Sequence, residues 1–305
     1  MIKHIFISCL LIIALADYSQ AQYRRGYRGF SSQSNIEVGL GIGPTWYQGD
    51  LCMGLITIEK TKLNIGAFIR TKPFERLAFR AGINYGRIAG SDAAWGKYYS
   101  KSDNIGGFVS VRQEQYYHRY KRNLSFYSNI FEINGMAELN LYHPRLKRNS
   151  GSPLPYAVLG VAYYHFNPKT IDRNGNLVKL RGIPTELYKS YKLWQFSIPF
   201  GLGVKFYSNR NWYITVEAVY RKTFTDWLDD VHHNYAGPKA AGNIPLQQLS
   251  DRSGEIDPSW GKNWDKVTLD PNNYLRGNPN NNDAYIFTMI TFNRMLNTYS
   301  TCTNF

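Results

Sequence analysis

Three aspartates and two histidines (Asp226, Asp229, Asp230, His232 and His233) fall within eight residues of the stretch "TFTDWLDDVHHNY". Carboxylates beside imidazoles suit two kinds of chemistry. Asp226, Asp229, Asp230 and His233 have the donor types that bind a divalent cation. Alternatively, Asp229 or Asp230 with His232 or His233 has the makings of a general base acting on water, as in a surface hydrolase. The spacing matches neither the calcium-loop pattern nor the zinc-helix signature. A third reading needs no ligand: the aspartates cap a short helical turn, or pair with nearby arginines and lysines. This structural reading is favoured, so no catalytic residue, cofactor or resident metal is expected. The choice rests on the element that presents the stretch.

The N-terminus reads as an export signal occupying residues 1–21. Lys3 and His4 precede an apolar run from Ile5 to Ala16, and Ser19-Gln20-Ala21 offers a small-x-small cleavage site. That run is too short to span a bilayer as a helix, which takes about 20 residues. The 305-residue chain carries a net charge of +14. For an exported chain such a charge points to lipopolysaccharide phosphates, peptidoglycan or acidic protein surfaces, and not to nucleic acid. Its 24 tyrosines and 7 tryptophans suit a membrane–water boundary, where a ring with a polar tip is at home.

Two-residue alternation is the strongest pattern in the chain. Leu77, Phe79, Ala81, Ile83 and Tyr85 alternate with Ala78, Arg80, Gly82 and Asn84. Phe196 to Phe206 and Phe131 to Leu141 behave alike, so each segment has one apolar face and one face of small or charged residues. Eight strands are predicted, over 35–47, 62–70, 77–87, 125–142, 155–166, 193–206, 212–224 and 284–294. The connections after the second, fourth and sixth are short, and the others are long, the last being 225–283. This sorting by parity is the layout of an outer-membrane barrel with short periplasmic turns and long extracellular loops. The fold expected is therefore an all-β, eight-stranded antiparallel transmembrane barrel over 35–294. It is preceded by a periplasmic segment 22–34 and followed by a tail 295–305.

A barrel of that size has an interior only wide enough for side chains to fill. Glycines beside charges on the polar faces fit such a space. The predicted lumen set is Glu37, Arg80, Glu132, Glu138, Lys205, Glu217 and Arg221, which would pair with one another because unpaired buried charge is costly. "FNPKT" reads as a turn ending the fifth strand, since Pro168 cannot donate to a ladder. "LDPNNYLRGNPNNND" reads as a solvent-exposed loop. Arg145, Lys147 and Arg148 form a basic periplasmic turn that offers a docking point for an acidic partner. Cys52 and Cys302 fall on opposite sides of the membrane in this layout, so no bridge between them is expected.

The chain resembles the PorG-like outer-membrane barrel family of the type IX (Por) secretion system of Bacteroidetes. The likeness is carried by "EVGLGIGPTWYQGDL" from Glu37, "RNLSFYSNIFE" from Arg122, "FNPKT" from Phe166, and "IPFGLGVKF" from Ile198 leading to "YRKTFTDWLDDVHHNY" from Tyr220. These stretches and their spacing reach to about Tyr235. The loop around 96–121, "LRGIPTELYKSYK" and 236–283 depart from that pattern. The resemblance implies a non-enzymatic component of a protein-export machine in the cell outer membrane. Its partners there are a periplasmic ring lipoprotein and a second ring subunit, and it ties that ring to the membrane. The alternatives are the rim hydrolase described above and a small closed binding barrel or pore.

Overall fold

The computed structural model of the chain describes residues 36–52, 54, 57–96, 111–142, 153–186, 191–207, 212–235, 248–260 and 275–296. The expected signal peptide, the segment 22–34, Cys302 and the basic turn Arg145, Lys147 and Arg148 lie outside the described residues.

The alternating segments form strands β1 (Ile36–Gln48), β2 (Lys62–Thr71), β3 (Leu77–Ser91), β4 (Ser125–Asn140) and β5 (Leu154–His165). They continue as β6 (Pro168–Ile171), β7 (Leu177–Lys179), β8 (Trp194–Tyr207), β9 (Trp212–Thr223) and β10 (Ala284–Leu296). Eight of them run antiparallel in the order β3-β2-β1-β10-β9-β8-β5-β4, and β3 then pairs with β4 from Leu77↔Leu139 to Ser91↔Ser125. That last ladder closes the sheet, leaving no open edge along the wall. The architecture is the eight-stranded antiparallel barrel that the alternation predicts.

Several bounds and one segment differ from expectation. β10 extends to Leu296, into the predicted tail, because it is held along its length between β1 and β9. "FNPKT" does more than end a strand. Pro168 opens β6, where its missing N–H is tolerated at a strand's first residue, and β6 pairs with β4 at Tyr127 and Ser128 and with β7. The helix α1 (Val111–Arg122) stands in the second long loop, with Arg119, Lys121 and Arg122 in its last turn, where cations oppose the helix dipole.

Side chains divide by parity. Leu40, Leu63, Ile69, Val161, Phe196 and Leu202 are exposed on the outer wall, while their strand neighbours are turned into the barrel. Aromatics mark both ends of this apolar wall. Trp194 stacks on Tyr163 (5.1 Å) near the long-loop end, and Trp212 stacks on Phe292 (4.5 Å) near the short-loop end. Along β8 the steps from Phe196 to Phe206 rise about 33 Å. At the roughly 40° tilt of barrel strands this projects to about 25 Å, the height of an outer-membrane barrel's apolar band.

Candidate functional site

Interior and mouth are built differently. In the interior, Glu37, Arg80, Glu132, Glu138, Lys205, Glu217 and Arg221 are all at most 5% exposed. Glu138 receives Arg70 (2.7 Å), Lys205 (2.9 Å) and Arg80 (3.3 Å). Arg80 also grips Glu217 through two nitrogens (2.8 and 3.0 Å), and Tyr156 donates to the same carboxylate at 2.7 Å. Glu132 accepts from Arg221, Tyr285 and Asn84. Glu37 pairs with Arg70 and Lys72 and accepts from Tyr213.

Arg70 is the interior residue that the sequence reading left out. The seven predicted charges comprise four glutamates and three cations, and fully buried Arg70 brings the count to four of each. Its signal was legible: Asn64, Gly66, Phe68 and Arg70 alternate with Leu63, Ile65, Ala67 and Ile69. Space is as tightly used as charge. A Cβ on Gly39 would run into the Phe68 ring and come within 2.7 Å of the Asn293 side chain. The midsection is packed, and each of its four carboxylates is paired with a cation.

At the long-loop end, "TFTDWLDDVHHNY" folds inward over the mouth. Trp227, Leu228 and Val231 join Tyr47, Leu51, Ile88, Phe126, Tyr164, Tyr285 and Phe287 in one apolar cluster. The stretch leads out of β9, as expected, but its aspartates are not rim residues. Asp226, Asp229 and Asp230 are 3%, 1% and 0% exposed; His232 is half-buried and His233 is exposed. Among the described residues neither Asp226 nor Asp229 takes the arginine or lysine partner expected for it. Asp230 accepts from Thr185 Oγ1 (2.5 Å) and Tyr191 Oη (2.8 Å), at a left-handed φ of 66°. Asp226 meets His232 Nδ1 at 2.8 Å. Asp229 accepts from the Val231 amide (2.9 Å) and faces Tyr47.

The three aspartates among the four proposed cation donors thus bond to separate partners. Among the described residues no three His, Cys, Asp or Glu side chains converge on a metal position. Asp229 and Asp230, the candidate bases, are buried and committed to other bonds. Asp226–His232 is the one acid–base pair the fold assembles from the stretch.

In "LDPNNYLRGNPNNND" Leu275, Asn278, Asn280, Asn281 and Asn282 are exposed as expected, but Arg276 and Asp283 are drawn into the cap. Arg276 is 3% and Asp283 0% exposed. Arg276 donates to Glu186 Oε1 (3.0 Å), Ser250 O (3.1 Å) and the Asp230 carbonyl, while Glu186 takes the amides of His232 (2.8 Å) and His233 (2.9 Å). Arg122, at the end of α1, clasps Asp92 (2.7 and 2.8 Å), the Asp50 carbonyl (3.0 Å) and the Arg276 carbonyl. Two guanidinium groups thereby stitch all four long loops together.

Beneath them Tyr47 Oη lies 2.7 Å from Asp229 Oδ2 and 2.6 Å from Asp283 Oδ1. A phenol has one proton to donate. The second short contact therefore needs a proton on one of the carboxyls. Burial, reinforced by neighbouring aspartates, pushes Asp229 and Asp283 well above the usual carboxylate range, and by the same causes Asp226 is pushed up to about 9. Burial thus favours the protonated form of these three carboxyls in the mouth. Cys52, in the first long loop, is a free thiol.

A family model described as a domain of unknown function (DUF6089) matches residues 27–239. The chain belongs to the DUF6089 family. The matched span runs from before β1 to beyond the cap stretch, and β10, which closes the barrel, follows it. Comparison with curated proteins finds no match. Among solved structures, this DUF6089 chain is similar to Neisserial surface protein A (TM-score 0.39, 8% identity, 86% of this chain and 97% of that one). It is similar also to a major outer membrane protein of Thermus thermophilus (0.38, 10%, 86% and 99%). A third is Ail, the attachment invasion locus protein of Yersinia pestis (0.37, 8%, 87% and 99%). At these scores nothing about function passes from them to this chain.

Proposed function

We propose that this DUF6089 chain is a non-enzymatic barrel of the cell outer membrane that scaffolds a type IX secretion machine, tying a periplasmic ring of a lipoprotein and a second subunit to the membrane. The observation that carries the membrane reading is the outer wall. Large apolar side chains such as Leu40, Leu63 and Leu202, each at least 65% exposed, face outward all round a closed barrel. An exposed apolar surface of that extent in water is an aggregation liability, whereas in a bilayer it is the solvated face. The secretion role is supported by the sequence resemblance of the four quoted stretches to the PorG-like family. The filled midsection favours a scaffold over a conduit, since ion pairs and rings occupy the space that cargo would need.

The test is a clean deletion strain. Its secreted-protein profile should lose type IX cargo, which accumulates inside the cell, and the protein should fractionate with the outer membrane of the parent. Unchanged secretion would sink the scaffold role while leaving the location standing. A second reading, a hydrolase with Asp226 in place of Asp229 or Asp230, has the Asp226–His232 pair in its favour. Lipid or peptide cleavage by the purified barrel that disappears in Asp226→Ala would promote it.

A further inference from the structure

The β3–β4 ribbon outruns the strands beside it. β2 last pairs with β3 at Asn64↔Gly86, and β5 last pairs with β4 at Phe131↔His165, yet β3 and β4 stay paired to Ser91↔Ser125. The outward face of this extension carries Arg87, Ala89, Ser125 and Tyr127. Lys60 and Lys62 wall it on one side, and the end of β6 with Arg252 walls the other, enclosing a notch of about 370 Å³. That volume lies in the ordinary range of ligand pockets, roughly 300–1,000 Å³.

The charges in the notch are unequally spent. Arg252 is neutralised by Glu255 (2.9 and 3.0 Å), with its remaining nitrogen on Thr170 Oγ1 (2.9 Å). The one acid lining the notch, Asp172, is occupied by the amides of Asn174 (2.9 Å) and Asn176 (2.7 Å). Arg87 lies over the Tyr127 ring (5.3 Å) and donates only to the neutral Asn129 amide oxygen (2.8 Å). Among the described residues no carboxylate pairs with Lys60, Lys62 or Arg87. Directly below, Leu63, Ile65, Ile83 and Tyr85 are exposed members of the apolar wall. Three cations without an ion-pair partner, against one carboxylate (Asp172), therefore sit at the top edge of a lipid-facing surface, on the long-loop side.

We propose that this notch binds the phosphorylated headgroup of an outer-leaflet lipid, with the acyl chains lying on the apolar wall beneath. The assignment rests on the membrane reading above and adds the ligand class and the residues. Lys60 and Lys62 supply point charges, and Arg87, fixed over Tyr127, offers its free guanidinium edge to phosphate oxygens. A wholly soluble anion would use the cations and leave the wall beneath unused.

Native mass spectrometry on the purified full-length mature barrel in detergent micelles provides the test, with bisphosphorylated lipid A, its dephosphorylated form and inorganic phosphate as probes. Lys60→Gln/Lys62→Gln/Arg87→Gln should weaken bisphosphorylated lipid A binding about tenfold or more. A control of equal charge change, Lys179→Gln/Arg181→Gln/Lys222→Gln, should weaken it less than about twofold. The dephosphorylated lipid should bind wild type no better than it binds the triple variant. Heat-dependent gel mobility establishes that both variants are folded barrels. Equal losses in the two variants, no loss in the first, tight binding of the dephosphorylated lipid, or displacement by millimolar inorganic phosphate would each overturn the proposal. Because the measurement is made in micelles, a negative result is separable from failure of the location or secretion readings, which are tested in cells.

Discussion

Barrel interior and loop cap both bury several carboxylates, but among the described residues only the cap holds some of them without a cation, beside others (Asp92, Glu186) that pair with arginine. Inside, every glutamate meets a cation: Glu138 alone takes Arg70, Arg80 and Lys205. In the cap, Asp229 and Asp283 converge on a phenol and Asp226 on an imidazole. Opposite charge and retained protons are the two ways a low-dielectric site accommodates an acid. Sheet geometry accounts for the difference. Interior residues are presented from opposite walls at fixed two-residue spacing, which brings acid and base face to face. Cap residues come from irregular loops, whose two central arginines, Arg122 and Arg276, are taken by Asp92, Glu186 and backbone carbonyls.

The contrast is most directly broken at Glu138. Glu138→Ala leaves buried Lys205 without a carboxylate and takes one of two from each of Arg70 and Arg80. Unfolding in detergent followed by tryptophan fluorescence should show a loss of about 3–5 kcal/mol. Next in size is Arg221→Met, which leaves Glu132 without its cation, for a loss of about 3 kcal/mol. Adding Glu132→Gln should recover part of that loss, and a double variant worse than the single would contradict charge pairing as the organising rule.

The cap should respond to pH in the opposite sense to a salt-bridged acid. The folded-state pKa values of Asp226, Asp229 and Asp283 are raised, so their stabilisation is complete below the unfolded value near 4. It falls as pH rises from there, for Asp226 up to about 9. Each such carboxyl removes about 1.4 kcal/mol per pH unit within its window. Melting of the wild type at pH 8 should therefore begin below its onset at pH 5. Asp229→Asn/Asp283→Asn should flatten that dependence, and an unchanged slope would remove the shared proton from the account. The smallest effect belongs to His233, which is exposed: His233→Ala should change stability by less than about 0.5 kcal/mol.

Much of the wall was legible in the sequence because strand alternation is local. Leu77 to Tyr85 shows its two faces without reference to any other segment, and the parity of loop lengths then implies a closed, even-stranded barrel. The same alternation, carried through Lys62 to Arg70, already held Arg70, the missing interior cation. The cap was not legible in this way. Tyr47 and Asp283 stand 236 positions apart, and nothing in either neighbourhood signals that they share a proton with Asp229. Arg276, in a run of asparagine and glycine, reads as solvent-exposed until Glu186 and Asp230 are brought around it.

By itself, then, the sequence determined the strands, their faces and most of the charges inside, since a two-residue period dictates which side chains share a surface. Only the tertiary structure decided the fate of "TFTDWLDDVHHNY": whether an aspartate in a loop is solvated, metal-bound or protonated depends on what other loops fold over it, and burial is not a local property.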